Sequence, residues 1–377
     1  MNVQIITSSY PAYPEDPSGT AGLFVRSFAL ELRDQGHKVI VQPVGRKPSY
    51  EPDEGLVIDP LPWDGGDQEL ASLKFFSIRN LRIIFNFFRL ARKKVIEDHQ
   101  KYQIDRTLCM WAVPSGLLGC WMKKELNKPY DVWALGSDIW RIKKIPFFGK
   151  WFLKKIIGHA DRVFADGLEL CRSVEEITGR PCGFLPSSRV LPKPREIEDG
   201  RYGAGRLHMV FVGRYHVNKG PDLLLEALLK LREPYRKRLL VHMYGLGPLK
   251  ESLESFIDEH GLRDIVEFNG AIDAQNLADV FRKVGYLIIP SRIESIPVVF
   301  SDALQSGVPV ISTPVGDLKS LIEKHGCGIL AEDVSADGIV HAIERACDEG
   351  HAAFALKAKQ LAREFEVGQV VKKWVDL

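Results

Sequence analysis

Short β-branched apolar runs alternate along this chain with segments of helical length. In the first half, residues 3–7, 38–43, 107–111, 131–135, 162–165 and 182–185 have the length and composition of strands. Residues 23–35, 73–98, 115–124, 149–159 and 168–178 lie between them and carry helical patterns. In 23–35, Phe24, Phe28 and Leu32 recur at i, i+4 and i+8, which is one apolar helix face, and Gly36 supplies the stop. The alternation fails over 193–205, a charged stretch with proline and glycine and no apolar run, expected to be a linker. It then resumes with strand candidates at 207–212, 239–244, 266–269, 286–289, 308–313 and 328–330. The helical segments of this half are 221–231, 249–259, 274–283, 297–306 and 318–325. Apolar strands that alternate with helices predict parallel sheets covered on both faces. The expected fold class is α/β, with two doubly wound Rossmann-like domains over 1–192 and 206–364. Ligands of such sheets bind outside the carboxyl ends of the strands.

Composition narrows the function classes. The 377 residues are 45% hydrophobic and 27% charged, with ample apolar material for two cores. Lys+Arg 51 against Asp+Glu 49 gives a formal charge of +2, too balanced for a general nucleic-acid binder. No run of about 18 apolar residues is present, so no membrane-spanning helix is expected. The start, Met1 to Thr7, reads directly as a strand rather than as a secretory signal. The six cysteines are scattered without a C-x-x-C pair, as expected of reduced thiols with no disulfide framework or structural zinc. A cytoplasmic location is the expectation.

Several strand ends carry candidate chemistry. After 207–212, the loop from Gly213 to Pro221 presents Arg214 and Lys219 just before a helix. A guanidinium fork, an ammonium and free helix N–H groups at one strand end make a pyrophosphate site; the other reading is two solvated cations. After 286–289, Glu294 precedes a helix opened by Pro297, and Asp302 follows more than one turn later. A carboxylate at that position can meet a sugar hydroxyl or a developing cation, and the second acid can meet ribose; the alternative is a cap and a solvated acid. The loop from Ser18 to Gly22 lets the backbone approach a ligand but lacks G-x-G-x-x-G, so a plain turn fits as well. At Gly136-Ser137-Asp138, Asp138 either caps the next segment or faces a cleft between the domains. Tyr244-Gly245-Leu246-Gly247 is a tight turn or a surface for a base.

Four motifs then occur in order: G-R-x4-K-G from Gly213, G-x-G-P-L from Gly245, P-S-R-x-E-S-I-P-x4-D-A-L from Pro290, and G-V-P-V-I-S-T-P-V-G from Gly307. The series resembles the second domain of glycosyltransferase family 4, retaining enzymes of the GT-B fold that use nucleotide sugars. The resemblance implies two domains facing across a cleft, with a C-terminal helix over 365–377 returning to the first and Trp374 as its anchor. It implies that Arg214 and Lys219 hold the donor diphosphate. Glu294 matches the first acid of the family's E-x7-E motif, which contacts the donor sugar and steadies an oxocarbenium-like transition state. Asp302 stands where the second acid meets ribose. Gly213, Gly245, Ile296, Pro297 and Val298 would line the donor, and Gly22 would bring first-domain backbone to the phosphates. Gly136, Ser137 and Asp138 would lie on the acceptor side. The family needs no metal and no cofactor beyond the sugar nucleotide, and this chain has no D-x-D site.

Three departures stand out: Asp302 replaces the usual Glu, Leu135 replaces a common His, and Gly316-Asp317-Leu318-Lys319-Ser320 replaces G-G-x-P-E. The implied function is transfer of a hexose-type sugar to a glycan or lipid-linked acceptor in cell-envelope or extracellular polysaccharide synthesis. The first two departures leave open a nucleotide-sugar binder without transfer activity, and the fold also admits a nucleotide-sugar epimerase.

Finally, residues 140–157 read WRIKKIPFFGKWFLKKII, six cations interleaved with aromatics and no acid. Residues 73–94 have a similar character, including Phe75, Phe76, Phe85, Phe87 and Phe88. Such segments suit an anionic membrane surface, so peripheral attachment to the inner face of the membrane is expected. The alternative packs the aromatics on the sheet and leaves the lysines solvated.

Overall fold

The structure is a computed structural model and describes residues 1–11, 20–44, 55–66, 70, 73, 77–195 and 205–376. Every strand expected from the sequence is present within two residues of its expected ends, and Leu56–Ile58 adds one more. In the first half these are β1 (Asn2–Thr7), β2 (Lys38–Pro43), β3 (Leu56–Ile58), β4 (Arg106–Met110), β5 (Tyr130–Ala134), β6 (Arg162–Ala165) and β7 (Gly183–Phe184). In the second half they are β8 (Leu207–Val212), β9 (Leu239–Tyr244), β10 (Val266–Asn269), β11 (Tyr286–Ile289), β12 (Val310–Ser312) and β13 (Gly328–Leu330). The chain divides into two compact units, Met1–Pro186 with Val370–Leu377, and Ser187–Gln369. Of the stretch expected to link the domains, 196–204 lies outside the described residues, as do Ser18, Gly19, Phe75 and Phe76.

The first unit is a parallel seven-stranded sheet in the order β3-β2-β1-β4-β5-β6-β7. The helix Thr20–Asp34 forms because Phe24, Phe28 and Leu32 all reach the core, and it ends before Gly36, whose φ of +87° only glycine adopts freely. The helix Ile78–Lys101 is N-capped by Ser77, whose hydroxyl accepts from the Asn80 N–H at 3.5 Å. The C-terminal helix Val367–Asp376 brings Trp374 into this core. Its indole packs edge-on to Phe28 and donates to Asp131 at 3.1 Å, while Arg162 donates to the Trp374 carbonyl at 2.7 Å. Burying roughly 200 Å² of aromatic surface at about 25 cal/mol/Å² contributes at most about 5 kcal/mol.

The second unit is a parallel six-stranded sheet, β10-β9-β8-β11-β12-β13. Its core joins Met209, Phe211, Val241 and Met243 of the sheet to Leu224 and Leu228 of the helix Pro221–Lys230 and to Ile339 and Ile343 of the helix Ala336–Glu349. The helices Glu233–Arg236, Ala336–Glu349 and Ala352–Ala362 were not anticipated. Both sheets run outward in two directions from a central pair. In the second unit the order reverses between β8 and β11, and ligands of doubly wound folds bind at such a switch point.

Candidate functional site

The carboxyl ends of β8 and β11 carry the residues singled out in the sequence. After β8, Tyr215 turns inward, stacks on Phe268 with ring centroids 4.9 Å apart, and donates its hydroxyl to the Asn269 carbonyl at 2.8 Å. That buried anchor leaves Arg214 outside, exposed and without an ion pair among the described residues. The His216 imidazole accepts from the Asn218 N–H at 3.2 Å and starts a short 3-10 turn over Val217–Lys219. Gly220 closes the turn at φ +65°, and a Cβ there would stand 1.9 Å from the Pro290 carbonyl oxygen. Only glycine lets the two loops come this close.

The β11 loop is tied to the same place. Arg292 donates its backbone N–H to Asn218 O at 2.8 Å and grips Asp222 with two guanidinium bonds of 2.7 and 2.8 Å. Burial opposes ionisation of Asp222, but Arg292 outweighs it and holds the carboxyl below its usual range. Lys219 Nζ forms an ion pair with Glu294 Oε2, spanning the two strand ends. The Ser291 hydroxyl lies 3.5 Å from the same oxygen. The Glu294 carbonyl packs on Gly316, where a Cβ would approach to 2.1 Å. Helices begin at Pro221, Val298 and Gly316, just after β8, β11 and β12, so their unsatisfied N–H groups add positive potential on this edge of the sheet. Two cations, one carboxylate and three helix starts can bind a diphosphate beside a centre of developing positive charge.

The structure thus brings Gly213, Arg214, Lys219 and Glu294 onto adjoining loops. Ile296 is buried and Pro297 and Val298 are half-buried at the start of the next helix. Gly245 follows β9, and a Cβ there would stand 2.1 Å from the Gly213 carbonyl oxygen, so this glycine lets two strand ends meet.

The structure places Asp302 inside the fold. The expected ribose contact is a completely buried carboxylate on the helix Val298–Gln305, and both its oxygens accept from Arg189 at 2.6–3.1 Å. Gln305 reinforces the pair by donating to the Arg189 carbonyl at 3.0 Å. Burial pushes the Asp302 carboxyl above its ordinary range against the pull of Arg189, while the same carboxylate holds Arg189 above its own; the guanidinium stays charged, and its three hydrogen bonds to both carboxylate oxygens make the pair an ionic one.

The residues expected on the acceptor side and at the phosphates belong to the first unit. Gly136 adopts φ +95° after β5 and Ser137 is exposed. Asp138, expected either to cap the next segment or to face a ligand, is buried. Its carboxylate accepts from the Ala112 N–H at 2.5 Å and the Leu135 N–H at 3.2 Å, bracing the ends of β4 and β5. Burial pushes it up to about 6, against the pull of those N–H groups. At Gly22 a Cβ would meet Tyr10 and Pro11 at 2.8 Å, so its close approach is to its own chain.

Sequence reasoning missed Arg189, Tyr215 and Arg292. Arg292 stood inside a quoted motif and could have been paired with Asp222 as the cation beside it. Nothing local in Ser187-Ser188-Arg189 points to Asp302.

Residues 193–364 match the family model described as Glycosyl transferases group 1. An uncharacterized glycosyltransferase of Methanocaldococcus jannaschii is 26% identical over 254 residues, 67% of this chain and 67% of that protein. A D-inositol 3-phosphate glycosyltransferase of Arthrobacter sp. is 31% identical over 169 residues, 44% of this chain and 39% of the relative, so the alignment leaves well over half of that enzyme uncovered. The structure of Anabaena HepE in complex with UDP superimposes with a TM-score of 0.75 at 15% identity, covering 100% of this chain and 99% of HepE. The fold is GT-B.

Proposed function

We propose that this chain, whose residues 193–364 match the Glycosyl transferases group 1 family model, moves a hexose from a nucleoside diphosphate sugar to a glycan or lipid-linked acceptor, with retention at the anomeric carbon. The observation that carries the reading is the Lys219–Glu294 pair across the β8 and β11 ends, with Arg214 on the same loop and without an ion pair among the described residues. The likeness to a UDP-bound structure supports a nucleoside diphosphate as the leaving group.

The donor diphosphate lies over the first N–H groups of the helices at Val298 and Gly316, with Arg214 and Lys219 meeting its charge. These groups answer the whole phosphate charge, so the reading calls for no metal. As the bond from the anomeric carbon to the phosphate oxygen breaks, its electron pair leaves with that oxygen, and the two cations stabilise it. The diphosphate competes with Glu294 for the Lys219 ammonium. The carboxylate is then free to face the positive charge at the anomeric carbon. The acceptor hydroxyl adds on the face the diphosphate leaves and passes its proton to the departing phosphate oxygen, which preserves configuration. Gly136 and the exposed Ser137 are assigned to the acceptor.

A thermal-shift screen with sugar nucleotides of several bases tests the reading. One base class should stabilise the protein, and Arg214→Ala should weaken that binding about 10- to 100-fold, the worth of a hydrogen bond to a charged group. The ligand-free melting temperature should not move, because Arg214 pairs with nothing described. If no sugar nucleotide stabilises the wild type, the proposal fails. A binder without transfer is the second reading, favoured by Leu135 where relatives commonly carry His; donor binding with neither transfer nor hydrolysis would select it.

A further inference from the structure

The first unit carries an exposed aromatic and cationic surface that the donor site does not use. After the helix Ser137–Lys143, the chain turns through Ile145, Pro146, Phe147 and Phe148 into the helix Gly149–Ile157. Leu153, Ile156 and Ile157 of that helix are buried. Its other side is exposed: Trp151 is 56% accessible, Phe148 51%, and Phe147 fully so. Phe148 stacks on Phe152, and Trp151 lies beside Phe148. Phe147 adopts φ +59°, a conformation a bulky residue rarely takes and one that holds its ring outward.

Around this wedge stand Arg141, Lys143, Lys144, Lys150, Lys154 and Lys155, with no acid between Asp138 and Asp161. Among the described residues none of the six makes an ion pair; Lys155 lies over the Trp151 ring at 5.0 Å. Elsewhere in this unit Arg92, Lys94, Lys123 and Arg162 are all paired with carboxylates.

A second patch stands on the same layer of helices. The strand order and right-handed crossovers put the connections β3→β4, β4→β5 and β5→β6 on one face of the sheet and β1→β2 on the other. The edge-to-face contact of Phe88 with Trp121 at 5.7 Å joins the first two helices of that layer. On the helix Ile78–Lys101, Phe87, Ala91 and Val95 face inward. Ile78, Leu81 and Phe85 form an outward stripe at i, i+3 and i+7, Ile78 at 86% and Phe85 at 71% accessibility, with Arg79 and Arg82 beside them.

We propose that this helix layer docks on an anionic phospholipid bilayer, with Phe147, Phe148 and Trp151 entering the headgroup region and the lysine collar held over the phosphates. Charge selects the occupant: six unneutralised cations around an apolar wedge match lipid phosphates above an acyl interior. A second copy of this surface would set the same cations against each other.

The test is co-sedimentation of the full chain with vesicles of equal parts phosphatidylglycerol and phosphatidylcholine, against phosphatidylcholine alone. The wild type should bind the anionic vesicles only, and less as salt rises. Lys150→Glu with Lys154→Glu should lower partitioning about 25-fold or more, roughly five-fold for each cation removed. Phe147→Gly should fold at least as well as the wild type, since glycine accepts φ +59°, and should bind several-fold more weakly. Equal binding to neutral vesicles would overturn the proposal, as would unchanged binding by both variants, or a wild-type dimer by light scattering that Phe147→Gly dissociates. Retained stabilisation by sugar nucleotides in these variants keeps this outcome separate from that of the donor site.

Discussion

Replacing Asp302 by alanine deletes the carboxylate that, among the described residues, pairs with the buried Arg189 guanidinium. Arg189 is left about one-tenth exposed, with its three bonds of 2.6–3.1 Å gone and a charge that cannot be neutralised. At an effective dielectric of about 20, unit charges 4 Å apart attract by about 4 kcal/mol. Removing one partner of a buried pair costs about 3–5 kcal/mol, mostly the desolvation of the survivor. For a unit of this size about 1 kcal/mol shifts melting by roughly 2–4 °C, so Asp302→Ala and Arg189→Met should each lower it by about 10 °C. The double replacement Arg189→Met with Asp302→Leu should recover most of the loss, because it removes both charges and fills the volume. Differential scanning calorimetry measures these shifts, and sugar nucleotide titration below the transition measures binding. The double variant should bind within a few-fold of the wild type. The reasoning is refuted if Asp302→Asn melts like the wild type while nucleotide affinity drops ten-fold and Arg189→Met binds normally, for that pattern belongs to a carboxylate on ribose.

Two other perturbations test local scaffolding, one in each unit. Burial raises the Asp138 carboxyl to about 6 from an ordinary 3.8, so the native state holds this proton more tightly than the unfolded chain does. Its contribution to stability is therefore greatest below pH 4 and declines by up to about 3 kcal/mol as pH rises through 6. Urea midpoints at pH 4.5 and 7 should show the wild type losing more stability than Asp138→Asn over that interval, and parallel losses would contradict the assignment. Gly220→Ala forces a Cβ against the Pro290 carbonyl at φ +65° and should destabilise by about 2 kcal/mol or more. It should also weaken sugar nucleotide binding, since the turn carries Lys219; an unchanged melting temperature would show that the two loops do not meet there.

The elements themselves were legible in the chain. Strands and helices follow from local period, and most ends fell within two residues because Gly36, Gly220 and Gly326 stop or start them with backbone angles other residues avoid. The Arg214–Lys219 loop and Glu294 were legible as well, since cations and a carboxylate at strand ends are local features read against a fold-class rule. Strand Leu56–Ile58 escaped because three residues carry no period, and the buried chain Thr107–Gln4–Gln42–Asp98 escaped because polar side chains in a strand look solvated until their partners arrive. Pairing was decided by tertiary structure alone. Arg189 and Asp302 are 113 residues apart and Lys219 and Glu294 are 75 apart, and no local pattern distinguishes an acid that a distant arginine buries from one left open to a ligand. Local sequence encodes backbone geometry, whereas the environment of a charge depends on which strand ends become neighbours, and that is set only when the sheet assembles.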